Sequence, residues 1–344
     1  NLFIRQNFGV YEYDSLSQFL NDLPASEFYR SYSLVDGITG DGSAAAAEFS
    51  GAQFGVYVQD EWQVSSKLSL TGGLRLDIPV YFSDTPVNED FNTNTVPMIE
   101  AAGYDLRGAQ TGQFIGPQLL VSPRLGFNYD VNGDRSTVLR GGVGIFTSRL
   151  PLVWPGGAFN NNGRVVGGDF TTGATTGWFR DFNGVFNPDW QNQPQRVSPG
   201  EGDPSGQIDL FAEDFKVPQV LKVNLALDQE LPGGIIATLD FIYNKTLNNV
   251  AYQNLNLKPS TENLTGTPDD RPIYDRGDEI DDQYSRIMLA YNTNQGYTYN
   301  ASVSLTKPFD NGISGTVAYS YGDAFTIFDG TSSQNSSQWR GLHS

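Results

Sequence analysis

Apolar and polar residues alternate with a period of two along several segments of this chain. In the segment from Leu68 to Asp77, every second residue is leucine or glycine, and the intervening ones are serine, threonine, glycine, arginine and aspartate. Such alternation is typical of β-strands, because successive side chains point to opposite faces of a sheet. The pattern predicts about nine strands, near residues 1–13, 52–62, 68–77, 121–130, 137–146, 219–229, 235–244, 297–306 and 313–322.

The connections between these strands are of two very different kinds. Short turns such as QVSSK and ELPGG join the two strands of a hairpin, whereas very long polar loops join one hairpin to the next, at residues 78–120, 147–218 and about 256–296. Short turns at one end and long loops at the other are typical of a transmembrane antiparallel β-barrel with long extracellular loops. The sequence therefore predicts an all-β fold of this kind.

A soluble sandwich shows the same alternation, with its apolar face turned inward. Two observations favour the barrel, whose apolar face meets lipid and whose polar face lines a hydrated lumen. The strands match the ~9–11 residues that cross a bilayer at a tilt. Aromatic residues lie on the apolar faces, mostly near strand ends, where amphipathic rings suit lipid headgroups: Trp62, Phe127, Tyr129, Phe241, Tyr243, Tyr297, Tyr299, Tyr319 and Tyr321.

The N-terminal segment departs from this pattern. NLFIRQNFGVYEY alternates more weakly and is predicted as a further strand. Asp14 is predicted as the N-cap of a short helix that places Leu16, Phe19 and Leu20 on one face and stops before Pro24. We expect this helix on the long-loop side.

The visible strands are too few for a closed barrel with such loops. About nine strands would enclose too narrow a lumen, so we expect residues 1–344 to be part of one barrel domain. The chain begins at Asn1 without a signal peptide, which indicates an internal piece of a longer precursor. A plug and the closing strands are expected outside it.

Composition excludes several functional classes. The 344 residues include 39 Asp and Glu against 21 Lys and Arg, a formal net charge of −18, and this argues against nucleic acid as a partner. There is no cysteine and one histidine, His343, so thiolate and histidine chemistry are nearly excluded. We expect no enzymatic activity and no cofactor, and no apolar run is long enough for a transmembrane helix.

The second long loop is unusually rich in aromatic residues. Trp154, Trp178, Phe179, Phe186 and Trp190 occur there among glycines and asparagines. One interpretation is a folded cap with a small core of its own. The other is a platform on which a ligand or partner stacks.

The third long loop contains the acidic string PDDRPIYDRGDEIDDQY. A solvated extracellular surface is the simpler interpretation of such a charge cluster. The alternative is a weak Ca²⁺ site, because hard cations bind clustered carboxylates; its candidates are Asp275, Asp278, Glu279, Asp281 and Asp282.

Four charged residues fall on the polar side of predicted strands. They are Arg75, Asp77, Arg124 and Arg140. They either balance charge within the wall, together with carboxylates such as Asp130, or face the lumen and contact a plug domain or an anionic substrate.

A cluster of small residues lies on the same predicted wall. Gly141, Gly142 and Gly144 do not form a phosphate-binding loop, because no helical pattern and no Lys-Ser/Thr follow them. Small residues in a barrel strand instead leave room for something packed against the wall.

Several strings together resemble one family. GVYVQDEWQVSSKLSLTGGLRLD, VSPRLGFNYDVNGDRSTVLRGGVGIF and NTNQGYTYNASVSLTKPFDNGISGTVAYSYGDA, followed by DGTSSQNSSQWR, are similar to the barrel of Oar-like TonB-dependent outer-membrane receptors. The resemblance covers most strands but few loop residues.

The resemblance implies a barrel of about 22 strands in the outer membrane of a Gram-negative bacterium. It also implies an N-terminal plug domain of the same polypeptide, contact with the TonB complex, and energised import of a ligand captured by the extracellular loops. The alternative function is an outer-membrane scaffold that binds a surface lipoprotein or secretion component. No nucleic-acid partner is expected.

Overall fold

The computed structural model describes most of the chain. The described residues are 4, 6–35, 45–172, 184–194, 206–266, 272–274, 278–310, 312–327, 332 and 334–342. In chain order, the strands are β1 (Val10–Glu12), β2 (Glu27–Ser33), β3 (Gly51–Gln63), β4 (Leu68–Tyr81), β5 (Leu120–Asp130), β6 (Thr137–Thr147), β7 (Val166–Thr172), β8 (Gly206–Phe211), β9 (Gln219–Leu231), β10 (Ile235–Asn254), β11 (Tyr284–Thr293), β12 (Tyr297–Asp310) and β13 (Ile313–Phe325).

Helices are few and short. They are α1 (Leu16–Leu20), α2 (Val96–Ala101), α3 (Val153–Asn160) and α4 (Asn335–Leu342), and a π-helical turn at Phe91–Thr95 leads into α2. Among the described residues, no helix is long and apolar enough to cross a membrane.

Eight long strands form one antiparallel sheet, which we call the wall. Its spatial order is β13-β12-β10-β9-β6-β5-β4-β3, so each strand pairs with its neighbour along the chain once the long connections are set aside. These eight strands coincide with eight of the nine that the sequence predicts. In the described part, β3 and β13 each pair on one side only, so the expected all-β, partial antiparallel barrel is confirmed as an open sheet.

The register of the wall keeps apolar and polar residues on separate faces. Leu74 of β4 lies opposite Val58 of β3 and Pro123 of β5, whereas the next residue, Arg75, lies opposite Tyr57 and Ser122. Because side chains alternate along every strand, rows of this kind extend across the sheet. The wall therefore has one apolar and one polar face.

The predicted strand over residues 1–13 is wrong as a wall strand. In the described part of this segment, only Val10–Glu12 is a strand, and it pairs with β2, which pairs with β7 in a separate three-stranded sheet. The helix α1 is present, but its N-cap is Ser15 rather than Asp14. The Ser15 side chain accepts from Gln18 N, and Gln18 Oε1 accepts from Ser15 N, which forms a capping box.

The long connections fold into a second body, which we call the cap: described residues 82–119, 148–172, 206–218 and 255–293, with the upper part of β10 and α4. Beyond the wall, β10 continues and pairs with β11, which pairs in parallel with β8. The middle of β11 is buried on both faces. Ile287, Met288, Leu289 and Ala290 are all fully buried in the cap core. The cap thus has a packed core of its own, and Tyr81 at the end of β4 packs against it.

Candidate functional site

Near the cap, the polar face of the wall holds an ion pair that lies flat against the strands. Arg75 Nε and Nη2 donate to the two carboxylate oxygens of Asp77, both at 2.8 Å, and Asp77 is buried. Gly55 lies opposite Asp77 on β3. A Cβ atom at Gly55 would stand 2.6 Å from Arg75 Nη2, so the glycine gives the arginine its place on the wall.

The neighbouring cations on this face contact an aromatic ring, that of Phe146, rather than a carboxylate. Arg124 Cζ lies 4.5 Å, and Lys222 Nζ 5.4 Å, from the centroid of the Phe146 ring. Such cation–π contacts are favourable but leave the positive charges unneutralised. Among the described residues, the side chains of Arg124 and Lys222 form no ion pair and no hydrogen bond.

Toward the short turns, the polar face carries a different cluster. Arg140 Nε donates to Asp228 Oδ2 at 3.0 Å, and its Nη2 is 3.9 Å from Asp240 Oδ2. The other oxygen of Asp228 accepts from Thr238 Oγ1 at 2.7 Å. The charge of Arg140 is therefore neutralised within the wall, and this cluster of one cation and two carboxylates has a negative charge in excess.

The cap contains a small polar cleft of about 110 Å³ between α3, β7, β8 and α4. Its central group is the buried carboxylate of Asp209 on β8. Asn161 Nδ2 donates to Asp209 Oδ2 and Gln207 Nε2 donates to Oδ1, both at 2.7 Å, and the Asn335 side chain on α4 is a third hydrogen-bond partner. The carboxylate thus ties three parts of the cap together.

Burial changes the acidity of this carboxylate. It raises the pKa of Asp209 from 3.8 to about 6, because the charged form loses hydration, while the hydrogen bonds from Asn161, Gln207 and Asn335 oppose the rise. The cleft is further lined by glycines, including Gly156 and a Gly167-Gly168 pair. These groups suit recognition of a small polar ligand through hydrogen bonds.

One comparison decides the family. The family model described as "Outer membrane beta barrel domain" matches residues 5–343. The chain belongs to this family. It is a domain of the bacterial outer membrane, so the apolar face of the wall meets lipid, the polar face is luminal, and the long connections that form the cap lie on the extracellular side. The expected resemblance and location are confirmed at this level.

Solved structures with which this outer membrane barrel aligns include one receptor and two transporters. They are the siderophore receptor PirA from Pseudomonas aeruginosa (12% identity, 80% of this chain and 34% of that one, TM-score 0.39), the FrpB iron transporter from Neisseria meningitidis (10%, 87% and 33%, 0.39) and the toluene transporter TodX from Pseudomonas putida (11%, 86% and 64%, 0.29). The chain spans 34% of PirA. No curated protein matches.

The aromatic residues of the second loop divide between two environments. Trp154 is buried in the core of the cap, where its ring meets Tyr252 edge-on at 6.3 Å. Trp190 is exposed and contacts Phe8 edge-on at 6.1 Å. Phe186 is also exposed and meets Tyr11 edge-on at 5.3 Å. The described part thus supports a folded cap around Trp154, and Phe186 and Trp190 keep the geometry of an exposed platform. Trp178 and Phe179 lie outside the described residues.

The acidic loop gives no metal cage in the part that the structure describes. Asp278 is 3.7 Å from Lys258 Nζ, and Asp281 accepts from Thr95 Oγ1 at 2.6 Å. No group of three metal-ligating side chains occurs among the described residues. Asp275 lies outside them, so the Ca²⁺ site stays an untested prediction.

Two functional features were not predicted from the sequence. Asp209 sits in a short segment, GQIDLF, without a clear alternation, so nothing marked it as buried. The role of Phe146 could have been predicted from the sequence, because it lies on the polar face of β6, two residues beyond Gly144. An aromatic ring at a luminal position between basic strands indicates a cation–π contact.

Proposed function

We propose that this chain is part of a TonB-dependent transporter that captures a ligand with its cap and passes it along the polar lumen. The observation that carries the proposal is the cap itself. Its long connections have a packed core and a polar cleft, whereas loops of such length serve little purpose in a passive wall. The chain would perform no bond chemistry and need no cofactor.

The energised step is proposed from the family resemblance. A plug domain of the same polypeptide would close the lumen, and the TonB complex would move it. This proposal agrees with the luminal face, which is polar and carries both paired and unneutralised charges. A siderophore receptor, an iron transporter and a toluene transporter among the aligned structures suggest the kind of ligand such barrels take, without naming the ligand of this one.

Uptake by whole cells tests the proposal. Cells with the full-length receptor, cells lacking it, and receptor-bearing cells without TonB would be grown in one complex medium, and solutes depleted from that medium would be measured by mass spectrometry. We expect at least one solute that only the first cells deplete. Identical depletion by all three would overturn the transport proposal.

One observation favours the alternative function, a scaffold for a surface lipoprotein or secretion component. The helix α1 exposes Leu16, Leu20 and the following Leu23 on the cap side. Apolar side chains grouped on an exposed surface often mark a protein contact. In this case Leu16→Ser with Leu20→Ser would release a stoichiometric partner from the purified receptor, and cells carrying this variant would keep any TonB-dependent uptake.

A further inference from the structure

One row of luminal side chains runs straight across five strands of the wall. The register places these residues opposite one another in the order Gln59, Gly73, Arg124, Gly144 and Lys222. Two glycines thus alternate with an amide and two cations, and the row contains no carboxylate.

The glycines give this row its shape. A Cβ atom at Gly144 would lie 3.1 Å from Arg124 Cγ and 3.2 Å from Phe146 Cε2, so the glycine lets the arginine stem lie down beside the ring. Gly73 leaves a floor without a side chain between Gln59 and Arg124. A pocket of about 170 Å³ opens above this floor.

The groups around the pocket are mostly hydrogen-bond donors. Arg75 and Tyr57, one row nearer the cap, line it together with Gln59 and Arg124. Arg75 uses Nε and Nη2 for Asp77, and its Nη1 has no partner within the described residues. The guanidinium of Arg124 has no hydrogen-bond partner there either.

Charge points to the class of ligand. In a chain with a net charge of −18, Arg124 and Lys222 share one aromatic ring and have no counter-charge among the described residues. Neighbouring like charges destabilise one another, and an anion placed between donors relieves this. Arginine binds carboxylate and phosphate oxygens with matched geometry. Because a water molecule takes ~30 Å³, a pocket of about 170 Å³ has room for one such group together with water.

We propose that the pocket lined by Arg124, Arg75, Tyr57 and Gln59 is a luminal site for an anionic oxygen group, either a carboxylate or a phosphate. Lys222, in the same luminal row, adds a second positive charge beside it. The group belongs either to a solute in the lumen or to an acidic side chain of the polypeptide that fills it. The inference rests on the proposed transport function only for the biological role of the site. Binding itself is measured independently of uptake.

The first arm of the test asks whether a free anion binds. The full-length protein in detergent would be heated with inorganic phosphate or citrate, against chloride at equal ionic strength. We expect phosphate or citrate to raise Tm by roughly 2–4 °C beyond chloride. Arg124→Gln and Lys222→Gln would each abolish the rise. Arg135→Gln removes an equal charge from the exposed turn after β5 and would keep it.

The second arm asks whether the polypeptide supplies the anion. A carbodiimide joins an amine to a carboxylate that touches it, so a peptide linking Lys222 to an Asp or Glu would identify an internal occupant. Lys222→Arg keeps the charge and would lose the link. An anion effect that needs both cations supports a solute, and a Lys222 link supports an internal carboxylate. If the folded protein showed neither the anion effect nor the Lys222 link, the proposed site would be wrong.

Discussion

The wall and the cap bury their residues in opposite ways. On the wall, neighbouring strands are close in sequence, and apolar side chains such as Leu125 and Val58 remain exposed because lipid is their partner. In the cap, β8 pairs in parallel with β11, which lies far along the chain, and the side chains around Ile287 are fully buried. The wall is thus stabilised mainly by its hydrogen-bond ladder and the bilayer, and the cap by a core like that of a soluble protein.

The largest expected effect comes from opening the cap core. Ile287→Ala removes buried atoms and leaves a cavity, so local opening of the cap should become about 2–5 kcal/mol easier. Amide hydrogen exchange of β8 and β11 in the full-length protein would measure it, with exchange in β4 and β5 unchanged. The matched change Leu125→Ala on the lipid face should leave cap exchange as it was. Equal opening by both variants would show that wall and cap form one cooperative unit.

Sequence patterns predict the wall well because the same local rule repeats there. Each strand shows a two-residue period and a short turn to its partner, as from Leu68 to Asp77. The cap follows no such rule. The segment IMLA, from Ile287 to Ala290, is continuously apolar, as expected for a stretch of strand buried on both faces. Its partner β8 lies 73 residues or more away, so nothing local links the two.

The residues of the candidate site likewise divide into those that local alternation predicts and those that depend on contacts between distant segments. Arg75, Arg124 and Arg140 were identified as luminal because alternation assigns faces, and the pairing of Arg75 with Asp77 was among the alternatives. Their differing partners depend on cross-strand register, which the two-residue period leaves open in steps of two residues. The Asp209 cleft forms only where three segments that are distant in the sequence meet, so the pattern within any one segment does not predict it.

A smaller effect should appear when the pH is varied. Asp209 has a pKa raised to about 6 in the folded cap against 3.8 ordinarily, so the folded cap binds this proton more tightly than the opened cap. Cap stability should therefore fall as the pH rises from about 4 to about 6 and level off above that range. Hydrogen exchange of β8, corrected for intrinsic rates, would show the slope. Asp209→Asn should remove it, and an unchanged slope would assign the titration to another group.

Two ion pairs of the wall should differ in their contribution. Asp77 has a side-chain exposure of 3%, against 30% for Asp228. Asp77→Asn leaves Arg75 without its bidentate partner and should cost about 1–3 kcal/mol in the free energy of unfolding. Asp228→Asn should cost less than about 1 kcal/mol, because water and Asp240 compensate Arg140. Denaturant unfolding in detergent would compare them, and equal costs would contradict the role given to burial.

The smallest expected effect concerns the exposed aromatic pair beside the cap and tests whether another part of the receptor covers it. Phe8 and Trp190 are 55% and 54% exposed and meet edge-on at 6.1 Å. A double-mutant cycle with Phe8→Ala and Trp190→Ala should give a coupling near 0.5 kcal/mol, the low end for aromatic pairs, because water still reaches both rings. Proteolysis of the segment in full-length protein would report it. A coupling well above about 1.5 kcal/mol would mean that another part of the receptor covers the two rings. This surface would then be an interface, and its aromatic side chains would be buried like those of the cap rather than exposed like those of the wall.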